Sequence, residues 1–203
     1  MIFHSLEKFI QADCREILLV TGTEHAGDFT SLLGSGSEWG CDLTYRVQDE
    51  AGGIAQALGL AEGFARGEPV VVLLGDNIFQ DDLKELFVSD PLNHAKLALK
   101  EVLDPSRYGV AELGAGWLIR GIEEKPAHPK SNYAVTGAYR YPADVFEVVK
   151  NLKPSARGEL EITDVNNHYL FFGRLSHIML KGFWTDAGTP SSLRHADRLM
   201  RGE

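Results

Sequence analysis

The sequence predicts an α/β fold, a mixed and mostly parallel sheet flanked by helices with a small β insertion, and three observations carry the prediction. Short apolar runs alternate with stretches of helical spacing from Met1 to Leu74; the most strand-like run, Pro69-Val-Val-Val-Leu-Leu74, is closed by Gly75; and beyond Phe87 the texture turns to shorter strand-like segments. Continuous runs of aliphatic residues suit strands buried on both faces, and strand, helix, strand order imposes right-handed crossovers.

Taken in order, Phe3, Leu6, Phe9 and Ile10 recur at helical spacing and predict an amphipathic first helix. Glu16 to Thr21 reads as a buried strand, His25 to Leu33 as a helix stopped by Gly34, and Leu43 to Val47 as a second strand. Ile54 to Ala65 reads as one helix before the Pro69 strand, and Asp82 to Phe87 as a short helix after it. Ala95 to Val102, Gly109 to Leu113 and Trp117 to Ile122 read as strands, the last two joined as a hairpin by Gly114-Ala-Gly116. Ala134 to Tyr141 is a further strand, Ala143 to Leu152 and Glu159 to Phe172 are helices, Leu175 to Leu180 returns to the sheet, and Ser191 to Met200 is a final helix. No repeat, low-complexity tract or linker divides residues 1–203, which read as one domain.

Composition narrows the function classes. With 44% hydrophobic and 24% charged residues the chain is globular, not disordered, collagenous or coiled coil. Its 203 residues bury a core without metal or disulfide staples, and Cys14 and Cys41, with no metal-ligand spacing, read as reduced thiols. Acidic residues outnumber basic ones 29 to 20 for a net charge of −9, and no basic cluster appears, so nucleic acid is not an expected partner. The apolar runs are too short for a membrane helix and Met1 to Ala12 carries charges, so the expected location is the cytoplasm, with no membrane partner.

Open α/β sheets bind ligands beyond the carboxyl ends of their strands, which directs attention to Gly75-Asp76-Asn77. Gly75 lets the backbone pass close to a ligand, and Asp76 offers a hard oxygen of the kind Mg²⁺ prefers, while the same three residues serve equally as a turn. Asp186, after a strand-like run and before a helix, has the same syntax; alone it reads as an N-cap, and paired with Asp76 as half of a cation site. Glu123-Glu124-Lys125-Pro126 carries both charges after a strand, either as ordinary surface charge or as a lysine for a phosphate beside a carboxylate for sugar hydroxyls.

Six ordered segments, Leu74-Gly-Asp-Asn-Ile-Phe79, Asp104-Pro-Ser-Arg-Tyr-Gly-Val110, Glu123-Glu-Lys-Pro126, Lys130-Ser-Asn-Tyr-Ala-Val-Thr-Gly-Ala-Tyr139, Arg157-Gly-Glu-Leu-Glu-Ile-Thr-Asp164 and Trp184-Thr-Asp-Ala-Gly-Thr189, resemble the sugar-phosphate nucleotidylyltransferase family over essentially the whole chain, nearest to its thymidylyl-transferring members. The resemblance implies a Rossmann-like nucleotidyltransferase fold and transfer of a nucleotidyl group from dTTP, or another NTP, to glucose 1-phosphate, giving dTDP-glucose and pyrophosphate. It implies Mg²⁺ on Asp76 and Asp186, the sugar and its phosphate on Glu124 and Lys125, sugar contacts at Gly109 and Val135, and the nucleobase at Gln48 and Gly53, with Lys125, Asp76 and Asp186 as the catalytic set. It also implies a homo-oligomer.

The pattern departs from the family in two places. Ala51 stands where the family usually has a proline, and the Gly-rich loop ending in Gly-Thr-Arg, with its strand, has no match, so about one βα unit of roughly 30 residues is expected to be missing from the domain. Such a chain is expected to keep sugar-phosphate affinity and to form nucleotide sugar slowly or not at all. The alternative is therefore a catalytically impaired sugar-phosphate or nucleotide-binding paralogue or fragment. A metal-dependent glycosyltransferase also uses aspartates at strand ends, but does not call for Glu-Glu-Lys-Pro together with Asp186.

Overall fold

The structure, a computed structural model, describes residues 1–88 and 93–201. The first helix, α1 (Ile2–Gln11), lays Leu6 against Ile17 and Leu19 of β1 (Glu16–Gly22), and Leu33 of α2 (Ala26–Leu33) closes this small core together with Cys41. β2 (Asp42–Gln48) pairs parallel to β1 along its length, Glu16 opposite Asp42 and Gly22 opposite Gln48, as the predicted crossover requires. Both cysteines are free thiols, and burial raises the pKa of each.

The helix predicted over Ile54 to Ala65 is two short ones, α3 (Ile54–Gly59) and α4 (Glu62–Ala65). Gly59 ends α3, where a Cβ would lie 3.2 Å from Val149, so a larger residue would push α3 off its neighbour. β3 (Val70–Leu73) follows, then β4 (Asn77–Phe79), α5 (Lys84–Phe87), β5 (Ala95–Glu101), β6 (Gly109–Leu113), β7 (Ile119–Glu124), β8 (Tyr133–Tyr141), α6 (Val145–Lys150), α7 (Ile162–Phe171), β9 (Leu175–Met179), β10 (Trp184–Asp186) and α8 (Pro190–Arg201).

β8 organises the larger sheet. It pairs antiparallel with β5 on one side and, on the other, with β6 through its first half and β3 through its second; β9 extends the sheet parallel to β5. The sheet is therefore mixed: β3, β5 and β9 run one way and β8 runs against them. β6 and β7 form the predicted hairpin, the small β insertion, with β7 starting at Ile119 because Ala115–Trp117 is a short turn of 3₁₀ helix.

Alternation along the strands divides the core. Val135, Tyr139 and Tyr141 of β8, Leu97 and Leu99 of β5, and Val70 and Val72 of β3 face α3, α6 and α7; Ala134 and Ala138, Ala98, and Val71 and Leu73 face the opposite layer, built with α5, Ile178 and Trp184. The predicted helix over Glu159 to Phe172 begins only at Ile162. Glu161 is extended (ψ 132), and the residue before it is tied elsewhere: Leu160 N donates to Gly52 O and Leu160 O accepts from Ala55 N, so that carbonyl serves the start of α3 instead of a helical turn of its own.

Candidate active site

Asp76 lies in the turn between β3 and β4, and Asp186 ends β10. The sequence predicted neither β4 nor β10, three residues each; they pair with each other antiparallel, placing Asp186 opposite Asn77 and so beside Asp76. Ala187 N donates to Asp76 O at 2.8 Å, and Gly188 N to Asp186 Oδ1 at 3.0 Å. A Cβ on Gly188 would lie 2.9 Å from Asp76 Oδ2 and 3.4 Å from Asp186 Oδ1, so the two carboxylates flank one glycine that leaves the space between them clear.

Asn77, buried at 3% exposure, holds this arrangement and was given no role by sequence reasoning. Its Oδ1 accepts from Gly137 N at 3.0 Å and Trp184 Nε1 at 2.7 Å, which fixes its amide so that Nδ2 donates to Asp76 Oδ1 at 2.7 Å. One side chain thus ties β4, β8 and β10 together and orients Asp76. Arg107, also unassigned from sequence, places Nη2 3.7 Å from Asp186 Oδ2. The sequence signal for Arg107 is its place between Asp104 and Val110, and for Asn77 its place beside Asp76 in a turn at a strand end.

Across the crevice, Gly109 of β6 pairs with Glu124 of β7 on one side and Val135 of β8 on the other. A Cβ there would meet Thr163 Oγ1 at 3.3 Å and Glu124 Oε2 at 3.4 Å. Thr163, in the first turn of α7, donates to Glu124 Oε2 at 2.6 Å, and the other carboxylate oxygen lies 4.0 Å from Lys125 Nζ and 3.7 Å from Arg157 Nη2. Lys125 has φ +43, a left-handed conformation rare for residues with a side chain, and its N–H donates to Tyr108 O. Strain of this kind collects where a fold must aim a functional side chain.

Arg157 is held by a two-pronged pair to Glu161, Nε to Oε1 at 3.1 Å and Nη2 to Oε2 at 2.7 Å, while Ser155 donates to the same carboxylate. Burial pushes the Glu161 carboxyl up, but the hydrogen bonds from Arg157 and Ser155 outweigh it and leave the pKa below its ordinary 4.5. A lowered carboxyl contributes stability that is complete above pH 4.5 and is lost as pH falls through the folded value. The urea midpoint is therefore expected to drop below that pH, and Glu161→Gln to flatten this acid limb at a cost of about 2 kcal/mol near neutrality. An unchanged acid limb in the variant would assign the loss to other carboxylates, such as Asp144 beside Arg174.

Gln48 and Gly53 sit elsewhere. Gln48 Nε2 donates to Gln56 Oε1 at 2.6 Å and Gly53 O at 3.3 Å, clipping the loop that contains Ala51. Gly53 has φ +95, and a Cβ there would lie 2.5 Å from Leu160 O, so only glycine fits. Asp76, Asp186, Gly109, Glu124, Lys125 and Val135 line one crevice of about 200 Å³, whereas Gln48 and Gly53 line a larger, mainly apolar cavity of about 1020 Å³. Ile54 and Leu74 wall both. Among the described residues no group of three or more His, Cys, Asp or Glu could hold a metal ion. Two aspartates without a third protein ligand match a cation that keeps water and substrate oxygens, as Mg²⁺ commonly does. No helix among the described residues is long and apolar enough to cross a membrane.

This chain is 44% identical over 205 residues to a glucose-1-phosphate thymidylyltransferase of Actinoplanes sp., covering 99% of this chain and 68% of that protein. It is 43% identical to one from Neisseria meningitidis, over 97% of this chain and 70% of the relative. A crystal structure from Bacillus anthracis, provisionally named a glucose-1-phosphate thymidylyltransferase and solved with sucrose, superposes with TM-score 0.93 at 53% identity, over 100% of this chain and 82% of that one. A UDP-glucose pyrophosphorylase at 24% identity shares the fold, with TM-score 0.83 over 98% of this chain and 85% of that one. The nucleotidyl transferase family pattern matches residues 1–202, and with this sheet and this crevice the chain belongs to the nucleotidyl transferase family.

Proposed function

We propose that this chain transfers a nucleotidyl group from dTTP to glucose 1-phosphate, the reaction named for its relatives. What supports the reading is the convergence of Asp76 and Asp186 with Glu124 and Lys125 on one crevice. In such a transfer the phosphate oxygen of the sugar phosphate attacks the α-phosphorus and pyrophosphate leaves; the phosphate dianion is already a nucleophile, so positioning and charge dominate. Lys125, aimed by its strained backbone, supplies a point charge for the sugar's phosphate, and Arg157, reaching past Glu161 toward Glu124, adds a second donor.

Glu124 turns one carboxylate oxygen toward sugar hydroxyls while Thr163 fixes the other. Gly109 leaves room where a side chain would fill the cradle, and Val135 forms its apolar floor. Asp76 and Asp186 would hold Mg²⁺, which when bound supplies charge neutralisation and a template for the phosphates. Gln48 and Gly53 are the proposed nucleobase contacts, across the wall formed by Ile54 and Leu74. We read residues 1–203 as one domain working in the cytoplasm as a homo-oligomer, without a nucleic-acid partner; the net charge of −9 agrees with the last point.

Lys125→Ala is expected to weaken glucose 1-phosphate binding roughly tenfold to a hundredfold, and dTTP binding by less than about twofold, because the lost bond is to the sugar's phosphate. Calorimetric titration with each ligand checks this. Equal losses for both would give Lys125 a structural role and remove the main support for the sugar-phosphate assignment.

A further inference from the structure

β7 is the last strand at its end of the larger sheet, and among the described residues its only strand neighbour is β6. The outer edge of such a strand presents N–H and C=O groups that no ladder satisfies. At Ile122, opposite Ala111, one side chain takes both of them: Ile122 N donates to Asn167 Oδ1 at 3.3 Å, and Asn167 Nδ2 donates to Ile122 O at 2.9 Å. A carboxamide carries a donor and an acceptor side by side, so Asn167 does for β7 at this point what a further strand would do.

Asn167 stands on a fixed post. It lies one turn after Thr163 on the same face of α7, and α7 is itself tied to the body of the domain: Tyr141 of β8 donates to Asn166 Oδ1 at 2.6 Å, and Tyr169 donates to Asp144 Oδ1 at 2.8 Å. Glu124 and Lys125 follow Ile122 almost at once along the chain. Lys125 is held at φ +43, a conformation that persists only where its surroundings over-determine it. Its N–H is tied to Tyr108 O on the β6 side, and Thr163 holds the Glu124 carboxylate. The Asn167 amide adds a tie on the outer edge, immediately upstream of the strained residue.

Taking Glu124 and Lys125 as the sugar-phosphate contacts of the function proposed above, we propose that Asn167 is a positioning residue for them: by fixing the outer edge of β7 at Ile122 it holds both in the crevice geometry. Asn167 itself does not line the crevice. What it contributes is the paired donor and acceptor, and two substitutions separate that chemistry from bulk. Aspartate has the same shape, but when ionised it has no donor and sets an oxygen against Ile122 O; the protonated acid again offers a donor beside an acceptor. The opposing carbonyl disfavours the charged form and raises the carboxyl pKa in such a variant. Leucine fills similar space and offers neither group.

The test is calorimetric titration of the full chain, Asn167→Asp and Asn167→Leu with glucose 1-phosphate and with dTTP at about pH 8 and about pH 5.5, each variant taken as a ratio to the parent at the same pH so that titration of the ligand's own phosphate cancels. At the higher pH both variants are expected to bind glucose 1-phosphate about tenfold more weakly, with dTTP within about twofold of the parent. At the lower pH Asn167→Asp is expected to recover to within about threefold of the parent while Asn167→Leu stays weak. Hydrogen exchange at Ile122 N–H is expected to be about tenfold faster in Asn167→Leu and unchanged in β9, which shows the fold intact. Parent-like glucose 1-phosphate binding in both variants, while Lys125→Ala weakens it, would overturn the inference and leave the proposed reaction standing; parent-like binding in Lys125→Ala would overturn both. Equal, pH-independent losses in the two variants, or equal losses for the two ligands, would also overturn the inference and make Asn167 a packing residue.

Discussion

Asp186→Asn is expected to lower pyrophosphate release from dTTP and glucose 1-phosphate by about two to three orders of magnitude, the scale on which a preorganised charge contributes to such transfers. Asp76→Asn is expected to do the same. The two carboxylates flank Gly188, so they serve one function, and the double variant should lose little more than the worse single one. Asparagine keeps the side-chain shape and an oxygen for Gly188 N, so the melting temperature should stay nearly constant while calorimetry shows weakened Mg²⁺ binding. Multiplicative losses in the double variant, or Mg²⁺ affinity unchanged in both singles, would mean that the aspartates do not share a cation.

Gly137→Ala is expected to be the most damaging small substitution in the sheet. A Cβ at this position of β8 would lie 2.6 to 2.8 Å from three atoms of the Asn77 amide. Asn77 has nowhere to go: it is buried, accepts from Gly137 and Trp184, and donates to Asp76. Overpacking together with orphaned buried donors is expected to cost about 3 kcal/mol, or roughly 6–12 °C in Tm. Because Asp76 loses its orienting donor at the same time, Mg²⁺ affinity should fall in parallel. Asn77→Ala separates the effects: it removes the orienting amide without the clash, so it should weaken the cation comparably. A Gly137→Ala protein as stable as the parent would show that the Asn77 junction is soft.

The order of elements was legible in the sequence because it rests on local signals. Aliphatic runs, the helical spacing of Phe3, Leu6, Phe9 and Ile10, and the glycines at 34, 67 and 173 act over a few residues and need no partner to be read. The crevice was foreshadowed by segment order: Asp76, Asp186, Gly109, Glu124, Lys125 and Val135 do meet. What the sequence did not contain is anything set by contacts distant along the chain. β4 and β10 are three residues each, too short for a periodicity, and exist only because they pair across more than a hundred positions. Leu160 and Glu161 look helical by composition, but Leu160 is tied to Gly52 and Ala55 and Glu161 is extended, so α7 begins after them. Asn77 and Arg157 look like turn and surface residues, and only packing makes one the tie among three strands and aims the other at Glu124. The sequence by itself therefore determined the α/β class, the strands and helices long enough to carry a period, and the candidate acidic and basic residues. Tertiary structure alone decided which of them share a crevice and which polar groups orient them, because hydrogen-bond partners and burial are properties of the folded contact set and not of any short stretch of chain.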